Sequence, residues 1–212
     1  MYPINVEEIV YMSKRNGITY VHLSDGVIKE YRYVSFIRII RDSCNRNLFM
    51  CNKSTIVNIK YIYALDPTNG FAILKGKYGM LDIGIAYCHK ILECFKKEYE
   101  NLTEGKTVIL RNHSIRYIIY LNEINYVESF DRYLRIHLGN GSELKISQKP
   151  IRYILDIANS DKLVSCARGI AVNIENVSDI DWTHHVITIK NGEKLKLGEK
   201  YIKELKQVWG KY

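Results

Sequence analysis

Few residues in this chain have the types and spacing that chemistry needs. His184 and His185 are the densest histidine pair, with Asp179 and Asp181 just before them. Imidazoles and carboxylates are donors a divalent cation accepts, but a site needs further ligands at workable spacing. None follow, so a metal is not expected. The five cysteines, at 44, 51, 88, 94 and 166, form no C-x-x-C pair and no zinc-like spacing. An odd, scattered set fits reduced thiols in a cytoplasm. There is no H-E-x-x-H, no G-x-S-x-G and no phosphate-binding glycine loop. The sequence therefore argues against an enzyme and implies no cofactor. What it does carry is positive charge: 31 Lys and Arg against 23 Asp and Glu, a net +8 and a pI near 9.1. That balance points to nucleic acid or another polyanion as a partner.

These residues must be positioned by a folded chain, and the composition supplies one. Of 212 residues, 47% are hydrophobic and 25% charged, which excludes disorder. Three prolines and no low-complexity stretch exclude a proline-rich linker protein. No secretory signal opens the chain, and its longest apolar runs are too short to span a bilayer as a helix. A cytoplasmic protein without a membrane partner is expected.

An internal repeat divides the chain. An ungapped offset of 115 aligns residues 6–62 with 121–177, giving 12 identities in 57 positions. Glu8-Ile9-x-Tyr11 falls on Glu123-Ile124-x-Tyr126, and His22-Leu23-x-x-Gly26 on His137-Leu138-x-x-Gly141. Ile39 matches Ile154, Leu48-x-x-Cys51 matches Leu163-x-x-Cys166, and Val57-Asn58-Ile59 matches Val172-Asn173-Ile174. Asp66 keeps the register with Asp181; an offset of 114 then pairs Gly84-x-x-Tyr87 with Gly198-x-x-Tyr201. The charge divides too, with +4 in residues 1–102 and +4 in 103–212. Two modules are expected, 1–98 and 106–212, joined by a short polar linker over 99–105. The second has an extra front segment from Lys106 to Tyr120, whose counterpart in the first would precede Met1. The first module is thus expected to lack a leading pair of strands, unless the real start lies upstream.

The patterning within a module is mostly β. Thr107–Leu110 and Arg116–Tyr120 predict strands around a turn at Asn112-His113-Ser114. Ile124–Val127 predicts another strand. Tyr133–Leu138 and Glu143–Ile146 alternate across Gly139-Asn140-Gly141 and predict a hairpin. Ile151, Ile154, Leu155 and Ala158 have helical spacing after Pro150. Leu163–Cys166 and Ile170–Val172 are strands. Val186–Lys190 and Lys194–Leu197 predict a hairpin with a two-residue Asn191-Gly192 turn. A short amphipathic helix over 201–208 closes the module, and Tyr87, Ile91 and Phe95 close the first copy alike. The repeated His22 and His137 are expected to meet a shared packing need. Cys51 and Cys166 suit buried thiols, and Asn58 and Asn173 suit a fixed turn.

The string Ile124-x-Tyr126-Val127-Glu128-Ser129, the hairpin with His137-Leu138-x-x-Gly141, and Leu163-Val164-x-Cys166-x-Arg168-x-x-x-Val172-Asn173-Ile174 resemble the LytTR-type DNA-binding domain. Asn191-Gly192-x-x-Leu195-x-Leu197-x-x-x-Tyr201 completes the resemblance over about 105–210. It extends more weakly over about 4–97, where Phe49-x-Cys51-x-x-Ser54-x-x-Val57-Asn58 is the most specific motif. The resemblance implies two tandem modules of short antiparallel strands, each with a small internal helix and a C-terminal helix. It implies a bacterial transcription regulator that binds double-stranded DNA at direct-repeat promoter sites, through loops placed in successive major grooves. RNA polymerase or a related regulator are the further partners such a role implies.

The resemblance also implies three contact loops. The first gives Arg132 and Tyr133 in the second module and Lys14 and Arg15 in the first. The second gives Arg168, and Asn52 with Lys53. The third gives Lys200, where the first copy has Ala86 instead of a basic residue. Gly169 stands where Ser54 keeps the usual serine. Arg and Lys in corresponding loops are what phosphate binding and guanine readout use. The rival expectation is a protein-interaction module that dimerises with, or titrates, a related regulator through a first module that does not read DNA.

Overall fold

The computed structural model describes residues 5–32, 35–36, 47–98 and 107–210. The 1–4 start, Ile39, Cys44, the 99–105 linker and the side chain of Phe95 lie outside the described residues. Two compact units emerge: Met1–Lys97 with Ser114–Arg116, and Glu98–His113 with Tyr117–Tyr212.

In chain order the strands are β1 (Ile9–Arg15), β2 (Ile18–Leu23), β3 (Ile28–Arg32), β4 (Leu48–Asn52), β5 (Thr55–Asn58), β6 (Ile62–Asp66), β7 (Phe71–Leu74) and β8 (Met80–Asp82). Helix α1 (Ile85–Glu98) follows. The second half has β9 (Thr107–Asn112), β10 (Ile115–Tyr120), β11 (Ile124–Phe130), β12 (Tyr133–Leu138) and β13 (Glu143–Ser147). After α2 (Ile151–Ala158) come β14 (Leu163–Ala167), β15 (Ile170–Asn173), β16 (Val177–Asp181), β17 (Val186–Ile189), β18 (Lys194–Lys196) and α3 (Ile202–Trp209). The fold is mostly β, with the small helices the sequence predicts.

The repeat is a structural repeat down to its register. One sheet has the order β3-β2-β1-β5-β4, and its counterpart β13-β12-β11-β15-β14. Tyr11 pairs with His22 as Tyr126 pairs with His137, and both first strands shift register just before that tyrosine. β6–β7–β8 and β16–β17–β18 are antiparallel meanders, again with matching bulges.

In the second unit the large sheet is covered on both faces. Ile124, Val127, Leu134 and Ile136 pack with Val108, Leu110, Ile119 and the α2 residues Ile154 and Ala158. Tyr126, Val164, Cys166 and Val172 face the other way, onto Ile180, Ile187, Leu195 and Leu205 of α3. This two-sided burial explains why β15 is buried at consecutive positions. The first unit has a corresponding core of Ile9, Met12, Val21, Leu23, Leu48 and Ile56.

The hairpin loops differ in one respect from the sequence expectation. Ile189 N donates to Glu193 O at 2.8 Å, so the loop between β17 and β18 is Lys190-Asn191-Gly192, three residues and not two. Gly192 takes φ +90°, the left-handed position such a loop needs. Asn191 Oδ1 accepts from Glu193 N at 3.1 Å and fixes the turn. Leu138–Ser142 and Leu23–Val27 close in the same way, with Asn140 and Asp25 as the side-chain acceptors.

Candidate nucleic-acid interface

In the second unit the predicted contact residues sit on or beside turns that backbone hydrogen bonds tie together. β11 ends at Phe130, and Asp131, at φ +53°, turns the chain so that Arg132 leads into Tyr133. Arg168 and Gly169 form the tight connection between β14 and β15. Ser129 N donates to Gly169 O at 2.7 Å and joins these two turns. Gly169 sits at φ +77°, and a Cβ there would lie 3.4 Å from Ser129 Cβ. The positive φ favours glycine here, whereas Ser54, its counterpart in the first unit, is not at positive φ and needs no glycine.

The third loop joins the same group. Gly198 N donates to Cys166 O at 2.8 Å, two residues before Arg168 and two before Lys200. A Cβ on Gly198 would approach the Tyr201 ring to 3.0 Å. Lys200 is exposed, with its Nζ 4.7 Å from the Tyr201 ring centroid. Arg132 and Arg168 are also exposed. Two residues join this set that sequence reasoning missed. Gln148 N donates to Arg132 O at 2.7 Å, which the Tyr133–Ser147 pairing makes inevitable once the hairpin register is known. Phe130 is 46% exposed beside Tyr133 at 44%, an aromatic pair flanking Arg132, and Arg135 covers the Phe130 ring at 3.8 Å. Exposed aromatics next to arginine suit contact with sugars and thymine methyls.

The first unit repeats the frame with different side chains. Lys14 N donates to Ser54 O at 2.8 Å, the counterpart of the Ser129–Gly169 bond. Lys53 is exposed in the same tight turn as Arg168. Asn52 Oδ1 accepts from Ser54 N at 2.8 Å and from its hydroxyl at 3.0 Å, so Asn52 shapes this turn. Lys14 and Arg15 are exposed at the end of β1, not in the following turn. They correspond to Ser129 and Phe130, while Gly17, at φ +77°, holds the place of Arg132. Ala86 lies exposed near the start of α1, and the next cation there is Lys90, 5.5 Å from the Tyr87 ring.

The other repeated residues are structural, as expected. Tyr11 stacks on His22 with centroids 3.9 Å apart, and Tyr126 on His137 at 4.0 Å. Asn58 and Asn173 are fully buried and bond backbone carbonyls of Ile9 and Leu121. The His184 pattern is a turn device. Asp181 Oδ1 accepts from Thr183 N and His184 N, and Oδ2 meets His184 Nδ1 at 2.7 Å. Asp66 does the same for Thr68 and Asn69. The His184 backbone and side chain hold the Asp181 carboxyl below the usual range. Among the described residues no cluster of three or more His, Cys, Asp or Glu could hold a metal. No helix among them is long and apolar enough to cross a membrane.

Burial pushes the Cys51 and Cys166 thiols up to about 12 and the Cys88 thiol to about 11. Their thiolate fraction near neutrality is negligible. Alkylation with iodoacetamide at pH 8 is expected to spare these three in the native protein and modify all of them in urea. Peptide mass spectrometry reads the outcome, and native modification of Cys166 would contradict its buried position.

A family model of the LytTr DNA-binding domain matches residues 1–90 and again residues 115–210. Among solved structures, the chain is similar to the LytTr DNA-binding domain of a Bacillus cereus protein described as a methyl-accepting/DNA response regulator. That similarity has 16% identity and a TM-score of 0.42, and covers 49% of this chain and 96% of that one. No curated protein sequence matches the chain. With the family model matched twice, over most of its length, the chain belongs to the LytTR DNA-binding domain family and carries two copies of that domain.

Proposed function

We propose that the chain is a transcription regulator whose two domains bind direct-repeat promoter sites, one half-site each. The observation that carries this reading is the hydrogen-bonded frame that holds the Arg132, Arg168 and Lys200 segments together. In this reading Arg168 and Lys53 contact DNA from equivalent turns, Arg132, Lys200, Lys14 and Arg15 add phosphate contacts, and Tyr133 packs against the backbone. Asn52 orients Lys53. The loops enter successive major grooves, and no helix is needed for recognition. Joining two domains in one chain raises the effective concentration of the second, so modest single-domain affinities give a tight complex. The regulator works in the cytoplasm, on promoter DNA that RNA polymerase also uses.

Selection of bound duplexes from a random pool tests this. Two similar half-sites one or two helical turns apart are expected; a single half-site would overturn tandem binding. With about 6–10 phosphates neutralised, the log–log slope of affinity against salt is expected near −5 to −9. A flat salt series would remove the phosphate contacts from the proposal.

A specific observation favours a second reading for the first domain alone. Among the described residues β3 is an edge strand, with Val27 just before it 46% exposed and its first residue, Ile28, 55% exposed. Gly17 and Ala86 also lack the charge of Arg132 and Lys200. Such an edge can take a strand from a second copy or a related regulator. Charge reversal of Lys14, Arg15 and Lys53 separates the two. Unchanged DNA affinity with persistent self-association assigns the first domain to protein contacts.

A further inference from the structure

The first domain holds a surface cavity of about 590 Å³ over the outer face of β1 and β2. Tyr11, Ser13, Tyr20 and His22 of these strands line it, together with Ile28 and Met80. Volumes of this size suit a small organic ligand. Ile28 is 55% and Met80 69% exposed, so two large apolar side chains meet water at one concave place.

The equivalent face of the second domain is built differently. The cross-strand row Glu128-Arg135-Lys145 corresponds to Ser13-Tyr20-Glu30, and Tyr126-His137-Glu143 to Tyr11-His22-Ile28. In the second domain Arg135 lies 3.6 Å from Glu128 and 3.9 Å from Glu143, and Lys145 lies 3.4 Å from Glu143. His137 adds a contact to Glu128 at 3.3 Å. Ion pairs thus cross that face. Ser13, Tyr20 and Ile28 carry no charge and cannot build this network. The stacked tyrosine and histidine are kept in both domains, so the frame is the same and its covering differs.

The rim has a charge preference. Lys14 and Arg15 line it, and so does Asp82, whose Oδ1 accepts from Gly84 N at 3.2 Å. The excess is positive. Burial, and then the Arg15 cation, hold the His22 imidazole below its usual value. It therefore meets the cavity as a neutral ring at pH 7. A cationic rim above aromatic and aliphatic walls is complementary to a small anion with an apolar body.

We propose that this cavity binds a small aromatic carboxylate, the carboxylate on Lys14 and Arg15 and the ring between Ile28 and Met80, and that the ligand competes with DNA. The competition rests on the DNA-binding reading above, because Lys14 and Arg15 serve both. Binding to the cavity does not.

Titration of the full chain with naphthoate, followed by amide NMR without DNA, tests the site directly. Saturable shifts at Ser13, Tyr20, Ile28 and Met80 are expected. The neutral naphthamide should bind at least about fivefold more weakly, since it lacks the ionic contact. Ile28→Glu installs the residue of the second domain and repels the carboxylate; Arg15→Gln removes its partner. Each should weaken naphthoate at least about tenfold, with amide dispersion confirming the fold. Absent or unsaturable shifts, shifts centred in the second domain, equal affinity for the amide, or undiminished binding by both variants would each overturn the site. Saturating naphthoate is then expected to raise the apparent Kd for a selected duplex at least about threefold by competition. Unchanged DNA affinity would overturn the competition. A chain that binds naphthoate but no duplex retains the site and loses the DNA reading; one that binds duplex but not naphthoate does the reverse.

Discussion

Reversing the charge at both Arg132 and Arg168 is expected to lower affinity for a selected duplex at least about 100-fold. Each arginine that contacts a base edge or phosphate is worth about 1–3 kcal/mol. Two of them, replaced by glutamate, lose both attractions and add repulsion from the backbone. Both side chains are exposed on turns, so the fold should move by no more than about 0.5 kcal/mol. The salt slope should flatten by about two phosphates. Fluorescence anisotropy across a salt series gives both numbers, and a thermal melt checks the fold. Arg168→Lys divides the effect further: it keeps the charge and loses the bidentate fork. A large loss with lysine assigns Arg168 to guanine, and near-native binding assigns it to phosphate. Affinity within threefold of the native chain for the double reversal would end the proposed role of these turns.

How much of this was legible in the sequence depended on whether the signal was local. The hairpins were legible because alternation and glycine punctuation are local properties, as in Tyr133–Leu138 with Gly141. The α2 helix was legible from Ile151, Ile154 and Ala158 after Pro150. β16 left no clear pattern, because Ser178 and Asp179 are exposed and a bulge follows Val177. The repeat compensated for much, since it marked His137, Cys166 and Asn173 as structural before any packing was known. Contacts that depend on pairing between distant strands stayed hidden. Gln148 reaches Arg132 only through the β12–β13 register, and Gly198 reaches Cys166 only through tertiary docking. Lys14 and Arg15 show the same limit. They resemble Arg132 and Tyr133 by following a similar strand, yet the register sets each of them three residues earlier, on the strand itself. The turn between β1 and β2 gives its corresponding place to Gly17. Side-chain substitution within the frame was hidden too: Asn176 bonds the carbonyls of Asn122 and Ile124, where Tyr61 bonds Glu7 and Asn58 bonds Ile9.

Asn173→Asp is expected to cost the second domain about 3–5 kcal/mol at pH 7.5, although it changes one atom type and almost no volume. Asn173 is fully buried at the end of β15. Its Nδ2 donates to Leu121 O at 2.8 Å, and its Oδ1 accepts from Glu175 N at 3.2 Å. An ionised aspartate keeps the second bond and turns the first into a carboxylate facing a carbonyl. Burial and that repulsion both favour the protonated acid, so its folded pKa lies above the unfolded value of about 3.9. A group raised in this way leaves stability intact below the unfolded pKa and removes it as pH rises through the folded one. The deficit should therefore shrink at pH 4, where the acid can donate to Leu121 O, and grow towards neutrality. Asn173→Ala supplies the reference, with a loss of about 1–3 kcal/mol that does not depend on pH. Urea denaturation of both variants at the two pH values, each compared with the native chain at the same pH, separates these effects. An aspartate deficit that is the same at both would show that the side chain at 173 reaches water. A loss of this size is a large share of the roughly 5–15 kcal/mol that holds a domain together. Because β15 begins at the turn that carries Arg168, DNA affinity should fall with the folded fraction. A variant that binds DNA normally while largely unfolded would separate the Arg168 turn from the frame that Asn173 completes.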